Sequence, residues 1–401
     1  MLLVGLSCFL IAIGVTWVAT PAVARLARVF GAIDHPEARK AHTSPTPRIG
    51  GLAVFCGFAG GMVFAAYATG NLMGVPQADV YWRGLALAAT LLMLVGLADD
   101  VWGLSFHWKF AAQTLAATYM WDCGFQISSI SHPLGGTLEF GLLSYPITVL
   151  WIVGITNAVN LIDGLDGLAT GIALITTITV GVIAFARGEL GLTAASVALA
   201  GSLIGFLPFN FNPARIFLGD SGSMFLGFVL AVTSVRGSQK GPMVVALLVP
   251  LLVLGLPLLD TSVAVVRRLY RLGTHGVKSD DNSVVYVVRN LTQIFLPDRG
   301  HIHHRLLDIG MSHKRAVLIL YAVGSSFAAA ALGLVLLKSW WLAILLVAVL
   351  IVTMTAFVSL LYLRVARVER AGRPVPSGRS EGRPAAEPLV ATSRGEARSR
   401  P

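Results

Sequence analysis

The chain has 401 residues, of which 55% are hydrophobic and only 12% charged, so a soluble globular enzyme and a disordered chain are both excluded. Its formal net charge is +10. Cys8, Cys56 and Cys123 are isolated, with no CxxC spacing, which argues for buried thiols and against a disulfide framework or a zinc cluster.

Since about 20 apolar residues cross a bilayer core as a helix, hydropathy predicts eleven membrane helices. They fall at 2–24, 50–70, 84–100, 109–124, 145–162, 168–187, 191–209, 219–236, 241–265, 316–337 and 339–363. The first stretch ends in ATPAVA, which resembles a signal-peptidase site. However, no Lys or Arg precedes it, whereas Arg25 and Arg28 follow it, so a retained helix with its N-terminus outside is expected. With that orientation, Arg83, Arg187, Arg236, Lys240 and Lys338 are the external ones among the 30 Lys and Arg residues. The positive charge is therefore a topology signal that places the C-terminus in the cytoplasm, and it does not indicate nucleic acid binding. It also favours anionic membrane lipids and anionic substrates. Between spans four and five, QISSISHPLGGTLEFGLLSYP carries β-branched residues around a Pro-Leu-Gly-Gly turn, the pattern of a small external β-hairpin or a plain loop. Residues 1–365 read as one transmembrane domain. Residues 366–401, rich in Arg, Gly, Pro, Ser and Glu, read as a disordered basic cytoplasmic tail.

The polar motifs gather on the predicted cytoplasmic side. The first, RKAHTSPTPRIGG, offers Arg39, Lys40, His42 and Arg48, residues that positive-inside charge alone would also explain. Asp99-Asp100 closes the third span. A mid-bilayer carboxylate costs on the order of 2.5 to 3.5 kcal/mol, so this pair is expected at the rim. In NAVNLIDGLDGLA, Asn157, Asn160, Asp163 and Asp166 recur every third residue, which on a helix gives one polar face. Gly164 and Gly167 weaken that helix and let a ligand or another backbone approach. Asn210 and Asp220 lie in NFNPARIFLGDSGS, where a helix N-terminus could receive a phosphate, direct Asp220 to a metal, or be capped by it. His301, His303 and His304, between Arg299 and Arg305, suit phosphate better than zinc, because no Cys accompanies them. So many acids on one face call for a divalent cation. Hard oxygen donors favour magnesium, and a magnesium centre with Arg, Lys and His at a membrane surface suits phosphoryl transfer from a soluble anionic donor to a lipid acceptor.

LADDVWGL, NAVNLIDGLDGLA, FNFNPARIFLGDSGS and DRGHIHH, in this order, resemble the polyprenyl-phosphate N-acetylhexosamine-1-phosphate transferases over most of residues 1–365. The resemblance implies transfer of a sugar 1-phosphate from a UDP-N-acetylhexosamine donor to a polyprenyl phosphate such as undecaprenyl phosphate. UMP is released, and magnesium, with manganese as a substitute, is the cofactor. The spaced HIHH form resembles the UDP-N-acetylglucosamine branch rather than the muramoyl-pentapeptide branch, which carries three consecutive histidines. By the same resemblance, Asp99 acts as base on the lipid phosphate with Asp100 beside it. Asp220 and Asn160 hold the metal, and Asp163 and Asp166 support metal and nucleotide. His301, His303, His304 and Arg305 hold the donor, while Lys40 and Asn210 border the nucleotide. Direct attack by the lipid phosphate and a covalent aspartate route both stay open, as does the oligomeric state, a homodimer included. An active site facing the cytoplasm in the inner (cytoplasmic) membrane follows, at the first membrane step of a cell-envelope polysaccharide. An ion-coupled transporter, the rival class, would place acids near the midplane and on both sides. The stretch 271–297 is longer than the family's usual linker and could form an additional element on the membrane.

Overall fold

A computed structural model of the chain describes residues 2–35, 45–69, 76–131, 137–236, 251, 254–263, 302–336 and 340–370. The helices among them are α1 (Leu2–Val29), α2 (Gly51–Thr69), α3 (Pro76–Trp102), α4 (Phe106–Asp122), α5 (Ser144–Ile162), α6 (Leu168–Ala186), α7 (Leu190–Asn210), α8 (Gly219–Arg236), α9 (Ile302–Asp308), α10 (His313–Leu336) and α11 (Trp340–Arg370). A helical segment at 255–263 precedes α9. Two antiparallel pairs complete the elements: β1 (Ile33–Asp34) with β2 (Thr46–Pro47), and β3 (Ser129–Ser131) with β4 (Thr137–Glu139). The second pair is the hairpin that the Pro-Leu-Gly-Gly turn predicts.

Among the described residues, seven helices are long and apolar enough to cross a membrane: α1, α2, the 80–102 part of α3, α5 with its preceding turn, α6, α7 and α10. The sequence thus forms a helical polytopic membrane protein. The apolar side chains of Leu3, Val18 and Val63 point outward, as a hydrocarbon solvent allows. At 17 residues α4 lies at the short end of what crosses a bilayer. Its neighbour α3 starts well before the predicted residue 84, so Trp82 and Arg83 lie in a helix rather than a loop. The predicted 241–265 span and the extended stretch at 271–297 fall largely or wholly outside the described residues. α11 continues to Arg370, past the expected start of the tail.

The core is organised around α8, which is buried at every position from Ser221 to Val235. It packs on α3, α5 and α2; α1, α2 and α7 form a neighbouring trio, and α6 joins α7 to α10. Close approach is possible because small residues sit at the crossings. A Cβ on Gly227 would lie 2.7 Å from the Thr156 Cα of α5, and one on Gly96 of α3 would lie 2.5 Å from the Asp220 carbonyl oxygen. The Gly51 and Gly222 backbones likewise meet directly between α2 and α8. Since overpacking a tight contact costs about 1 to 3 kcal/mol, Gly96→Val is expected to lower the melting temperature of the purified protein. Gly5→Val, where a Cβ meets open space, should leave it unchanged.

Candidate active site

The last turn of α3 carries Asp99 and Asp100, 8% and 4% exposed. Asp99 Oδ1 accepts the Leu104 amide at 2.7 Å, which fixes the turn into α4. Asp100 points instead at α8, where its two carboxylate oxygens accept the amides of Asp220 at 2.9 Å and Ser221 at 3.0 Å. Free amides at a helix start carry partial positive charge, and a carboxylate satisfies them. The α8 N-terminus that could have received a phosphate is therefore already capped by Asp100. Arg48 closes the other side, donating Nε to the Asp100 carbonyl at 2.8 Å and Nη2 to the Asp99 carbonyl at 2.9 Å. Gly219 turns into α8 at φ +75°, and a Cβ there would strike the Arg48 carbonyl and lie 2.6 Å from Asp100 Oδ2. Only glycine meets both demands.

Lys109, one turn into α4, bridges two acids: its Nζ lies 3.2 Å from Asp99 Oδ2 and 2.8 Å from Asp220 Oδ2. Asn160 donates to Ser223 Oγ at 2.7 Å and also reaches the Asp220 carboxylate, tying α5 to the first turn of α8. The expected helical stripe ends sooner than its spacing suggests. α5 stops at Ile162, Asp163 is its C-cap (φ −76°, ψ 40°), and Gly167 is left-handed at φ +81°. Asn157 and Asn160 are thus helical, whereas Asp163 and Asp166 lie at and beyond the break. Enclosure by protein, then the charges of Asp220, Asp100 and Asp166, holds the Asp163 carboxyl well above the usual carboxylate range.

Asp166 faces the next loop, accepting the Asn212 amide nitrogen at 2.9 Å and the Ala214 amide at 3.1 Å. Asn210 is interior at 2% exposed; it accepts from Thr170 Oγ1 at 2.7 Å and donates to the Ile216 carbonyl at 3.0 Å. These two residues shape the loop entering α8, and Asn210 does not border an open surface. Gly167 packs on Phe211, and its carbonyl accepts Tyr321 Oη from α10 at 2.6 Å.

α9 carries His303, His304 and Arg305, while Lys40 and His301 lie outside the described residues. The helix is anchored through its first residue. The Ile302 amide donates at 2.7 Å to Asp260 Oδ1, on a side chain 3% exposed. Ile302 and Asp260 also line a small cavity with Ile162 and Leu168, the residues flanking the Asp163 break. The histidine motif and the acids are thereby brought to one end of the bundle. Three participants escape a reading of the sequence for site residues. Arg48 reads there as positive-inside charge, Lys109 as the edge of a span, and Asp260 as part of a greasy one. The available signal is an ionisable group inside apolar sequence on the side where the other acids gather.

Among the described residues no three of His, Cys, Asp and Glu form a ready metal cage. The donor set is nonetheless all hard oxygen, and a cation, Lys109, already sits between Asp99 and Asp220. Magnesium is commonly held by one or two carboxylates with waters and substrate phosphates, so this set fits it.

The glycosyl transferase family 4 model matches residues 82–238, the stretch holding all of these acids except Asp260. A probable undecaprenyl-phosphate N-acetylglucosaminyl 1-phosphate transferase of Bacillus subtilis is 36% identical over 349 residues, 86% of this chain and 89% of its own length. The chain belongs to glycosyl transferase family 4. A decaprenyl-phosphate N-acetylglucosaminephosphotransferase of Mycobacterium tuberculosis is 39% identical over 346 residues, covering 80% of this chain and 78% of that one. A phospho-N-acetylmuramoyl-pentapeptide-transferase of Clostridium perfringens is 32% identical over only 225 residues, 55% of this chain and 70% of that one.

Because a buried hydrogen bond to a charged group contributes about 1.5 to 3 kcal/mol, Asp260→Ala should speed hydrogen exchange of the α9 amides by about tenfold or more. Asp260→Asn retains an acceptor oxygen and should restore most of the protection. Equal protection in wild type and Asp260→Ala would remove the anchoring role.

Proposed function

We propose that the chain transfers N-acetylglucosamine 1-phosphate from UDP-N-acetylglucosamine to undecaprenyl phosphate or a related polyprenyl phosphate, with release of UMP. The observation that carries this reading is the meeting of Asp99, Asp100, Asp163 and Asp220 with Lys109 and Arg48 at one end of the bundle. The activities for which the two long-matching relatives are named favour N-acetylglucosamine, and the shorter match of the muramoyl-pentapeptide enzyme agrees with the spaced HIHH motif. We further infer eleven spans, an external N-terminus and a site facing the cytoplasm in the cytoplasmic membrane, from the distribution of Lys and Arg.

In the mechanism that this geometry suits, Asp99 takes the proton of the lipid phosphate, whose oxygen then attacks the donor phosphorus bearing the sugar. The P–O bond to UMP breaks as the new one forms. Lys109 holds Asp99 and Asp220 together and keeps the Asp99 carboxylate oriented. Asp220, with Asn160 beside it, would hold magnesium, which when bound neutralises pyrophosphate charge. Asp163 faces the same space, while Asp100 and Asp166 position α8 and its entering loop. The α9 residues His303, His304 and Arg305, with His301 and Lys40, supply positive groups for the donor pyrophosphate and nucleotide. The covalent aspartate route uses the same residues and differs in which oxygen attacks first.

The test is direct: membranes holding this chain, with magnesium and undecaprenyl phosphate, should release UMP from UDP-N-acetylglucosamine. UDP-N-acetylgalactosamine and UDP-N-acetylmuramoyl-pentapeptide should give little. Preferred use of the pentapeptide donor would move the enzyme to the muramoyl branch. Asp220→Ala should abolish release, and near-normal turnover would remove the metal assignment. Losing Lys109 leaves Asp99 and Asp220 adjacent without their shared cation. Lys109→Met should therefore cut kcat by about 10² or more, the scale of one electrostatic group at a reacting centre. A change confined to KM would instead assign Lys109 to donor binding.

A further inference from the structure

The inward face of α4 consists of Gln113, Ala116, Ala117 and Met120, so its one polar group is the Gln113 carboxamide. Gln113 is 2% exposed. Its Oε1 accepts Asn157 Nδ2 from α5 at 2.6 Å, and the same nitrogen donates its other hydrogen to the Val153 carbonyl at 2.8 Å. Nearby buried positions on the two helices are apolar: Ala116 and Ala117 on α4, Val153 and Ala158 on α5. A carboxamide enclosed in this way is costly unless it is paired, so packing α4 on α5 selects the arrangement that keeps Gln113 on Asn157.

That pair stands one turn from the acids. Gln113 follows Lys109 by four residues on α4, and Asn157 precedes Asn160 by three on α5, so each couple shares a helix face. α4 leads away from the acids and α5 leads toward them, which stacks the couples as two rungs. In the first rung Lys109 and Asn160 converge on the Asp220 carboxylate. The second rung, Gln113 with Asn157, lies about 6 Å farther along α4. Two other ties of α4 to α5 are at its far end: Thr118 Oγ1 with Tyr145 Oη at 3.0 Å, and Trp121 Nε1 donating to Ser144 Oγ at 3.5 Å. A lysine on a flexible stem does not orient its own helix. The helix must already be turned correctly for one ammonium to reach Asp99 on α3 and Asp220 on α8 together. We propose that Gln113 is a positioning residue: through Asn157 it fixes the rotation and register of α4, and so holds the Lys109 ammonium between Asp99 and Asp220. The effect on turnover rests on the transfer reading, whereas the placement of Lys109 does not.

Two readouts on the purified full chain test this. The rate at which a succinimidyl ester labels Lys109, located by mass spectrometry, reports whether the ammonium is held. UMP release with magnesium, UDP-N-acetylglucosamine and undecaprenyl phosphate reports turnover. Gln113→Met keeps the side-chain length and removes the acceptor. It should raise Lys109 labelling about threefold to tenfold and lower kcat by a similar factor with the donor KM unchanged, the scale of one hydrogen bond inside a membrane bundle. Gln113→Asn, one methylene short of its partner, should give the same changes at smaller size and serves where Gln113→Met is not monodisperse. Adding Asn157→Gln to Gln113→Asn returns the missing methylene from the other helix and should restore most of both readouts. In a Lys109→Met background Gln113→Met should lower kcat no further, since residues acting through one group are not additive. Thr118→Val loosens the same two helices at their far end and should change neither readout. Losses that add in the Lys109→Met background, a Thr118→Val effect equal to that of Gln113→Met, or unchanged labelling in the Gln113 variants would each overturn the proposal. A wild-type chain that releases no UMP would defeat the transfer reading and leave the labelling result standing. Normal wild-type release with unchanged labelling in the variants would defeat the positioning role alone.

Discussion

The start of α8 is the constraint on which the site depends. This helix is enclosed on all sides by protein, so its first amides have no water to turn to, and an unmet buried amide is costly. Asp100 meets two of them with its two oxygens, which fixes where α3 ends relative to where α8 begins. Arg48 then satisfies the last carbonyls of α3 and places positive charge against the same carboxylate. Once these are in place, Asp220 has little choice of position. Its backbone is held by Asp100, and its side chain is met by Lys109 and Asn160.

That arrangement concentrates charge that would otherwise disperse. Two like charges 4 Å apart repel by about 4 kcal/mol at an effective dielectric near 20, and here Asp99, Asp100, Asp163 and Asp220 share the compensation of Lys109 and Arg48. Lys109 spans Asp99 and Asp220 with one ammonium, and Arg48 holds the Asp100 side. Asp163 has neither cation against it in the described structure, and enclosure by protein together with the charges of Asp220, Asp100 and Asp166 holds its carboxyl above the usual carboxylate range. A site with more acid than base at a point where the chain is otherwise apolar is prepared for a ligand that carries cationic charge or arrives with it.

Much of this was legible in the sequence because the polar residues are so few. In a chain this apolar, each Asp in LADDVWGL, NAVNLIDGLDGLA and LGDSGS stands out, and hydropathy placed the ends of α2, α5, α6, α7 and α8 within a residue or so. What periodicity could not show was where a helix stops. Asp163 and Asp166 keep helical spacing along the chain, but the backbone leaves the helix at Asp163 (ψ 40°) and Gly167 at φ +81° leads into α6, so the three-residue repeat becomes a turn. Partners distant in sequence were equally hidden. Asp100 reads as a companion of Asp99 until the amides of residues 220 and 221 are found against it, and Asn210 reads as a border of the nucleotide until Thr170 and Ile216 are found on either side of its amide.

The distinction between acids that shape and acids that react follows from what holds their oxygens, fixed amides or a flexible ammonium. Asp100 uses both on backbone amides, and Asp166 places Oδ2 on a backbone amide and a side-chain amide. Asp99 also gives one oxygen to a backbone amide, yet its other oxygen faces a lysine, a partner that can move. Asp220 likewise meets Lys109 through a flexible ammonium rather than a fixed peptide. Groups held by mobile cations can exchange them for a bound metal or a substrate proton at small structural cost. Groups held by peptide amides would have to uncap a buried helix or release a loop to do the same. In the proposed reaction the chemistry therefore falls to Asp99 and Asp220, while the rigidity that keeps them a fixed distance apart belongs to Asp100, Arg48 and the glycines that let α3 and α2 lie against α8.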